Sequence, residues 1–190
     1  MSEHADPRSA RTIDALGAAI VDLAARGPVS RVTVAALADR ARVTRATFYN
    51  HYDSPLELLV RVLNADLDQG HRREEELRAT GRYSPTEMLR LATAEVVEHV
   101  ERFRDVYRYA LHDPADRGVY DALVRHFAGY AETFMARSAH PGVPSANRGV
   151  VAAFLAHGFA GAIAAWLTDD TATREDLLDA VLACAPEWWR

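Results

Sequence analysis

A short polar segment near the N-terminus, residues 42–51, carries the side chains that phosphate groups and base edges require. Thr44 can cap a helix, and its hydroxyl and the free backbone N–H groups of the first turn can bind a phosphate. Arg45 can reach guanine O6 and N7 or a phosphate, and Thr47 can contact a thymine methyl group or donate a hydrogen bond. The segment therefore has the chemistry of a DNA-reading surface.

Further residues of the same segment add contacts of a second kind. Tyr49 and His51 can hold phosphates, which fix register rather than sequence, and Asn50 can pair with adenine or face solvent. An ordinary helical hairpin with a polar outer face is the alternative interpretation. The predicted DNA-contacting residues are Thr33, Arg42, Thr44, Arg45, Ala46, Thr47, Tyr49, Asn50 and His51.

Two short helices with a tight turn must position these side chains. Thr33 is a candidate cap for the first, and Thr44 for the second. Val43 lies in the turn, where it can fill the angle between the two helices, and Phe48 faces inward. This is the arrangement of a helix-turn-helix, whose second helix lies in the major groove.

The rest of the chain also has helical periodicity, and no stretch alternates with period two for long. Proline, glycine and polar turns divide the chain into about nine helices, and the strongest break is His140-Pro-Gly-Val-Pro144. We predict an all-α protein with two domains. Residues 8–54 form a three-helix DNA-binding domain with the helix-turn-helix, and residues 55–190 form a second helical domain.

Composition and charge narrow the class of protein. The 190 residues are 49% hydrophobic with a net charge of −5, which predicts a globular chain rather than one that coats nucleic acid indiscriminately. The basic residues are all arginine, and between Arg8 and Arg45 seven arginines face three acids, so the N-terminal third is locally basic. A lone cysteine, Cys184, and the lack of a signal-peptide pattern predict a cytoplasmic protein.

One apolar stretch, residues 149–167, approaches the length of a membrane span. Alanine and glycine dominate it, however, and few of its side chains are strongly lipophilic. We predict a buried helix and no membrane partner.

The order of residues in the first third resembles the N-terminal domain of the TetR (tetracycline-repressor) family of bacterial transcription regulators. The resemblance covers residues 10–59. It rests on Ile13, Ala19, Val32-Thr33-Val34, Leu37-Ala38, Ala41, Val43-Thr44, Thr47-Phe48-Tyr49, His51-Tyr52, Leu56 and Leu58-Leu59.

Two positions depart from the family pattern. The family's usual glycine in the turn is Arg42, which predicts a strained left-handed residue or a different turn. The family's usual lysine at the start of the fourth helix, a phosphate contact, is Pro55. Arg42 or Arg45 can replace that lost contact.

The resemblance implies an all-helical C-terminal domain that binds a small molecule. Large side chains spread over several helices can surround a cavity, although each is also an ordinary core residue. The candidate ligand-binding residues are Met88, Phe103, Tyr107, Phe127, Tyr130, Phe134, Phe159 and Trp166, with His99, His112 and His157 as polar groups. His157 is also a candidate core or interface residue. No histidine–carboxylate spacing forms a metal site, and we predict no cofactor.

The resemblance also implies a homodimer. Small residues on the eighth helix allow another helix to approach closely, and two helical hairpins could form a four-helix interface; the alternative is that the hairpin packs on its own core. The candidate interface residues are Gly158, Gly161, Ala162, Ala165, Leu177, Leu178, Val181 and Leu182.

The predicted function is a sequence-specific transcriptional regulator: a homodimeric repressor released from a palindromic operator on double-stranded DNA by a small hydrophobic effector. Its recognition helices would lie about 34 Å apart. The alternative is a helical interaction protein with a degenerate DNA-binding face. An enzyme is not predicted, because neither paired carboxylates nor a glycine-rich phosphate loop is evident.

Overall fold

The computed structural model describes residues 7–111 and 113–189 and is 78% helical. Within these residues there are nine α-helices and no strand, so the prediction of an all-α fold is confirmed. Three short 3-10 turns, Val29–Arg31, Pro114–Asp116 and Glu187–Trp189, lie between or after the helices. The helices are α1 (Pro7–Ala24), α2 (Val34–Ala41), α3 (Arg45–Tyr49), α4 (Pro55–Ala79), α5 (Pro85–Arg102), α6 (Arg104–Ala110), α7 (Arg117–Arg137), α8 (Arg148–Thr168) and α9 (Arg174–Cys184).

The chain divides into two compact units that alternate along the sequence. The first unit takes the described part of Met1–Leu63 together with Phe103–Val119, and the second takes Asn64–Arg102 and Tyr120–Arg190 as far as they are described. Helix α4 therefore contributes its first nine residues to one unit and the remainder to the other. The predicted domain division into 8–54 and 55–190 stays a prediction.

The core of the first unit forms because α1 is amphipathic. Leu16 and Ile20 are fully buried one turn apart, and α1 packs against α2 and α6. Leu37 from α2 and Phe48 from α3 are also fully buried. These contacts fix the angle between the two short helices.

The second unit has its core around the C-terminal helices. One buried hydrophobic cluster of this core consists of Leu89, Ala131, Met135, Ala152, Ala185 and Trp189. Helix α9 packs against α5 and α8, and it begins with a reciprocal capping box in which Thr173 and Asp176 bind each other's backbone N–H groups.

Helix α8 is buried on one face only. By length and composition alone it could cross a membrane. Of an apolar 18-residue stretch of this helix, 33% is buried inside the protein. Ala152, Ala156, Ala160 and Ile163 face the core, whereas Val150 and Phe154 are 71% and 77% exposed. The prediction of a buried helix is therefore correct for one face and wrong for the other, because the sequence of α8 is apolar all round and does not show which side is covered.

Candidate nucleic-acid interface and cavity

Threonine caps set the start of both short helices. The Thr33 hydroxyl accepts a hydrogen bond from the backbone N–H of Ala36 (3.2 Å), and the Thr44 hydroxyl accepts one from Thr47 (3.1 Å). The hydroxyl oxygens of Thr44 and Thr47 are also 2.8 Å apart. Because these caps satisfy backbone donors that a helix start leaves free, they fix where α2 and α3 begin.

The turn between α2 and α3 depends on Arg42. This residue has the left-handed conformation, with φ 57° and ψ 42°, which confirms the first of the two expectations for a non-glycine residue there. The backbone N–H of Val43 then donates to the carbonyl of Ala38 (3.0 Å), as in a Schellman motif. The conformation ends α2 sharply and leaves the arginine side chain exposed.

Helix α3 separates buried from exposed side chains at adjacent positions. Phe48 is fully buried, while the neighbouring Tyr49 is 59% exposed and its ring lies edge-on to Phe48 at 5.4 Å. Tyr52 is buried behind them, and the Arg61 guanidinium lies over its ring at 5.5 Å. All nine predicted contact residues are exposed or half-buried in the first unit: Thr33, Arg42, Thr44, Arg45, Ala46, Thr47, Tyr49, Asn50 and His51. That they contact DNA remains a prediction.

The arginines of this region fall into two groups. Arg26 and Arg40 both bind Asp22, at 2.7 Å and 2.8 Å, and the hydrogen bond from Arg40 is the main cause that lowers the pKa of that carboxyl. Arg42 and Arg45, in contrast, have no carboxylate partner among the described residues. Their charges are thus available to an anion, whereas two upstream arginines are already partly neutralised.

Pro55 has a structural role at the start of α4. It occupies the first helical position, where a missing N–H costs nothing, and the Ser54 hydroxyl caps the helix by accepting from Glu57 N–H (3.1 Å). The Glu57 carboxylate accepts from the backbone of Asp53 at 2.7 Å, which lowers the pKa of Glu57. The helix start is therefore well formed without the lysine that the family pattern has at this position.

A buried carboxylate holds the turn that leads into α2. Asp116 is 1% exposed and accepts hydrogen bonds from the backbone N–H groups of Val29 (2.6 Å) and Ser30 (2.8 Å). Both partners lie 86 or 87 residues away in sequence. No local pattern could predict this contact, because in the sequence Asp116 has the features of an ordinary turn residue.

The second unit contains a cavity between α4, α5, α7 and α8, with Trp189 as part of its wall. Three of the predicted ligand-binding residues line it: Phe127, Tyr130 and Phe159. His99 also lines it, is 3% exposed, and has its Nδ1 atom 2.7 Å from Asp66. Burial lowers the pKa of His99 more than the nearby carboxylate raises it.

The other five predicted ligand-binding residues do not line this cavity. Met88 is buried elsewhere in the second unit, and Phe134 stacks on Trp189 at 5.1 Å. The Trp166 indole donates to the carbonyl of Thr173 (3.0 Å). Phe103 and Tyr107 belong to the first unit. The periodicity predicts correctly that these side chains are at least partly buried, but it cannot show which buried residues border an empty space.

Of the remaining predicted polar groups, His157 is exposed on α8 and does not line the cavity, and His112 lies outside the described residues. Sequence reasoning missed most of the lining residues, among them His71, His126 and Trp189. Burial lowers the pKa of His126. Its position one residue before Phe127 was the available signal. Among the residues described, no three potential ligands are placed to hold a metal ion.

The predicted interface residues divide between surface and core. Gly158, Gly161 and Ala165 are exposed on α8 and Ala162 is half-buried, while Leu182 on α9 is half-buried. Leu177, Leu178 and Val181 are at most 8% exposed, because they pack inside their own unit. The prediction missed Val150 and Phe154, whose spacing of four residues continues the exposed α8 stripe towards its start.

The family model described as "Bacterial regulatory proteins, tetR family" matches residues 16–62. Those residues form a TetR-family DNA-binding domain. A comparison with curated proteins finds no match. The matched segment contains α2, the turn and α3, so the resemblance predicted for residues 10–59 is confirmed.

Solved structures share the fold over almost the whole chain. A TetR-family regulator from Syntrophomonas wolfei, described as putative, has a TM-score of 0.67 at 14% identity, covering 90% of this chain and 91% of its own. AibR in complex with isovaleryl coenzyme A and operator DNA has a TM-score of 0.53 at 19% identity, covering 90% and 96%. NalD, the secondary repressor of the MexAB-OprM multidrug efflux pump in Pseudomonas aeruginosa, has a TM-score of 0.59 at 22% identity, covering 90% and 96%.

Proposed function

We propose that this chain is a homodimeric transcriptional repressor that binds a palindromic operator through α3 and leaves it when a small molecule enters the cavity. The observation that carries the proposal is the TetR-family segment, in which a capped α3 presents Arg45 and Tyr49 outward from a buried Phe48. Two solved relatives of the same fold support it by their descriptions, one in complex with operator DNA and one named a repressor.

Dimerisation is supported by the exposed face of α8. Val150 and Phe154 are large and apolar, and they precede Gly158 and Gly161 on the same face. Such a surface favours close approach of a second helix, and a second copy of the chain supplies an identical one. Two copies related by a two-fold axis would present their α3 helices to successive major grooves of a palindrome.

Release by an effector follows from differential binding. Helix α4 contributes residues 55–63 to the DNA-binding unit and residues 64–79 to the unit with the cavity. A ligand that favours a different position of α4 would change the separation of the two α3 helices and weaken operator binding. The effector acts only to the extent that it binds the two arrangements unequally.

The test begins with selection of bound sequences from a random DNA pool, followed by band-shift measurements on the selected operator. Arg45→Ala and Tyr49→Ala should each cost about 1–3 kcal/mol of binding free energy. Arg125→Ala, an exposed arginine of the second unit, is the matched control and should leave operator affinity unchanged. Unchanged band shifts for both α3 variants would contradict the proposal.

A helical interaction protein with a degenerate DNA-binding face is the second candidate, and the replacements at Arg42 and Pro55 are the observation that favours it. The absence of any enriched sequence after selection from the random pool would support that candidate instead. Arg42 and Arg45 both lack a carboxylate partner among the described residues, which favours the DNA-binding alternative.

A further inference from the structure

One wall residue of the cavity in the second unit has a buried polar atom without a hydrogen-bond partner in the described part of the chain. Trp189 is 4% exposed, and its indole Nε1 is the buried side-chain nitrogen or oxygen without a hydrogen bond among the described residues. A buried donor left unpaired costs about 1–3 kcal/mol. Since Trp189 forms part of the cavity wall, a molecule in the cavity that places an acceptor at Nε1 would remove this cost.

The wall around Trp189 is aromatic. The Tyr130 ring stacks on the indole with centroids 6.0 Å apart, and the Phe159 ring lies 6.2 Å from the indole and 5.7 Å from Phe127. Leu89 and Leu155 add aliphatic surface to the same lining. Flat apolar molecules bind well to such walls, because offset and edge-on ring contacts add to the burial of apolar area.

The charges at the cavity do not suit an anion. Arg73 is bound by Glu95, with Nε to Oε2 at 3.2 Å, and Arg102 is bound by Asp66. A third lining carboxylate, Glu74, is almost fully buried and accepts from Arg78. The two lining arginines thus face three lining carboxylates, so the phosphate groups of a coenzyme A thioester would meet no unpaired cation among the described lining residues.

The cavity is also small. Its volume open to water is about 60 Å³. A known apolar cavity of about 150 Å³ holds benzene, so this one admits a molecule built on one ring only if its walls move apart. A long acyl chain would need a far larger opening.

We infer that the effector of this protein is an uncharged, largely apolar molecule of about one ring that carries a hydrogen-bond acceptor for Trp189, such as an aryl ketone, and not an acyl coenzyme A. That the molecule acts as an effector depends on the proposed function, but its binding to the cavity can be measured without DNA.

The test uses the full chain with 15N-labelled tryptophan and follows the three indole N–H signals by NMR. Trp166→Phe and Trp188→Phe variants assign the signals by elimination. The probes are acetophenone, ethylbenzene, benzoate and isovaleryl coenzyme A, which separate the acceptor, the ring and the negative charge. We expect acetophenone to move the Trp189 signal downfield, as hydrogen bonding does, and ethylbenzene to bind without that downfield movement.

A second measurement uses substitution. Trp189→Phe keeps an aromatic wall but removes the donor, and we expect it to weaken acetophenone binding by about 2–12-fold, the range of one net hydrogen bond. Trp188→Phe is the matched control, because Trp188 stacks on Trp189 at 5.5 Å but does not line the cavity. It should leave acetophenone affinity unchanged.

Two results would overturn the inference. The first is tighter binding of benzoate or isovaleryl coenzyme A than of acetophenone, and the second is a Trp189 signal that no probe moves. Both can be seen in a chain that binds its operator normally. Conversely, failure to bind any DNA together with a moved Trp189 signal would reject the proposed function and keep the ligand class.

Discussion

Arg42 shows how one residue can satisfy a turn at a cost in strain. Its left-handed conformation is what glycine adopts most readily, and a residue with a side chain pays about 1–2 kcal/mol there. The same side chain is exposed and has no carboxylate partner among the described residues. The replacement of the usual glycine by Arg42 therefore adds both backbone strain and a cation beside α3.

We predict that Arg42→Gly raises the free energy of unfolding by about 0.5–1 kcal/mol, because relief of the strain exceeds the added chain entropy. Urea denaturation without DNA measures it. Ala36→Gly, in the first turn of α2, is the matched control and should lower the free energy of unfolding, because glycine adds chain entropy there without relieving strain. A loss of stability in Arg42→Gly would mean that the side chain stabilises the turn.

His99 and His126 make stability depend on pH. Burial lowers the pKa of both, so below the ordinary histidine pKa the unfolded chain binds more protons than the folded one. The free energy of unfolding should therefore fall as pH decreases from about 7.5 to about 5.5, by at most about 1.4 kcal/mol per pH unit for each histidine. Urea denaturation at each pH measures this slope.

His126→Gln should make that slope shallower. His140→Gln, at an exposed position, should leave it unchanged. A free energy of unfolding that stays constant or increases on acidification would contradict the lowered pKa of both histidines.

At the scale of elements, the contact between the turn Pro114–Asp116 and the turn Val29–Arg31 positions the start of α2. Asp116 is the last residue of its turn and binds two backbone N–H groups of the other. Hydrogen bonds to a charged group are stronger than neutral ones, and an unpaired buried donor is costly. The first unit thus depends on a residue far outside the family-matched segment.

We predict that Asp116→Asn lowers the free energy of unfolding by about 1–3 kcal/mol, because the amide removes the charge and offers one oxygen for two donors. Urea denaturation measures it, and Asp170→Asn at an exposed position is the control. If Asp116→Asn is as stable as the control, the carboxylate does not hold the turn.

The sequence predicts the elements well where local rules act alone. Thr33 and Thr44 cap their helices as their residue types and positions suggest, and Pro55 starts α4 as proline at a first position should. Tertiary choices were less predictable. Neither the pairing of Asp116 nor the covered side of α8 leaves a periodic signal, because each depends on residues far away in sequence.

At the scale of the whole molecule, the apolar α8 stripe is the feature that the isolated chain does not explain. We predict that Phe154→Asp converts the proposed dimer into monomer, because it places a charge in an interface that would exclude water. Analytical ultracentrifugation measures the mass in solution. Operator binding should weaken with it, since a single α3 reads only half a palindrome.

Tyr83→Asp is the matched control, because Tyr83 is also an exposed large apolar residue but lies outside α8. It should leave the mass unchanged. A monomeric wild-type protein, or a Phe154→Asp variant that remains dimeric, would remove α8 as the proposed interface.

The first unit combines two separate stretches of the chain, and this affects the order in which its parts are synthesised. The ribosome makes the N-terminal helices well before α6 and Asp116, since Asp116 lies 87 residues after Val29. At about 5–20 residues per second, the turn before α2 would wait roughly 4–17 seconds for Asp116. Until α6 is made, the side of α1 that packs against α6 stays uncovered in the nascent chain. A truncated gene encoding only the family-matched segment would leave that side uncovered permanently.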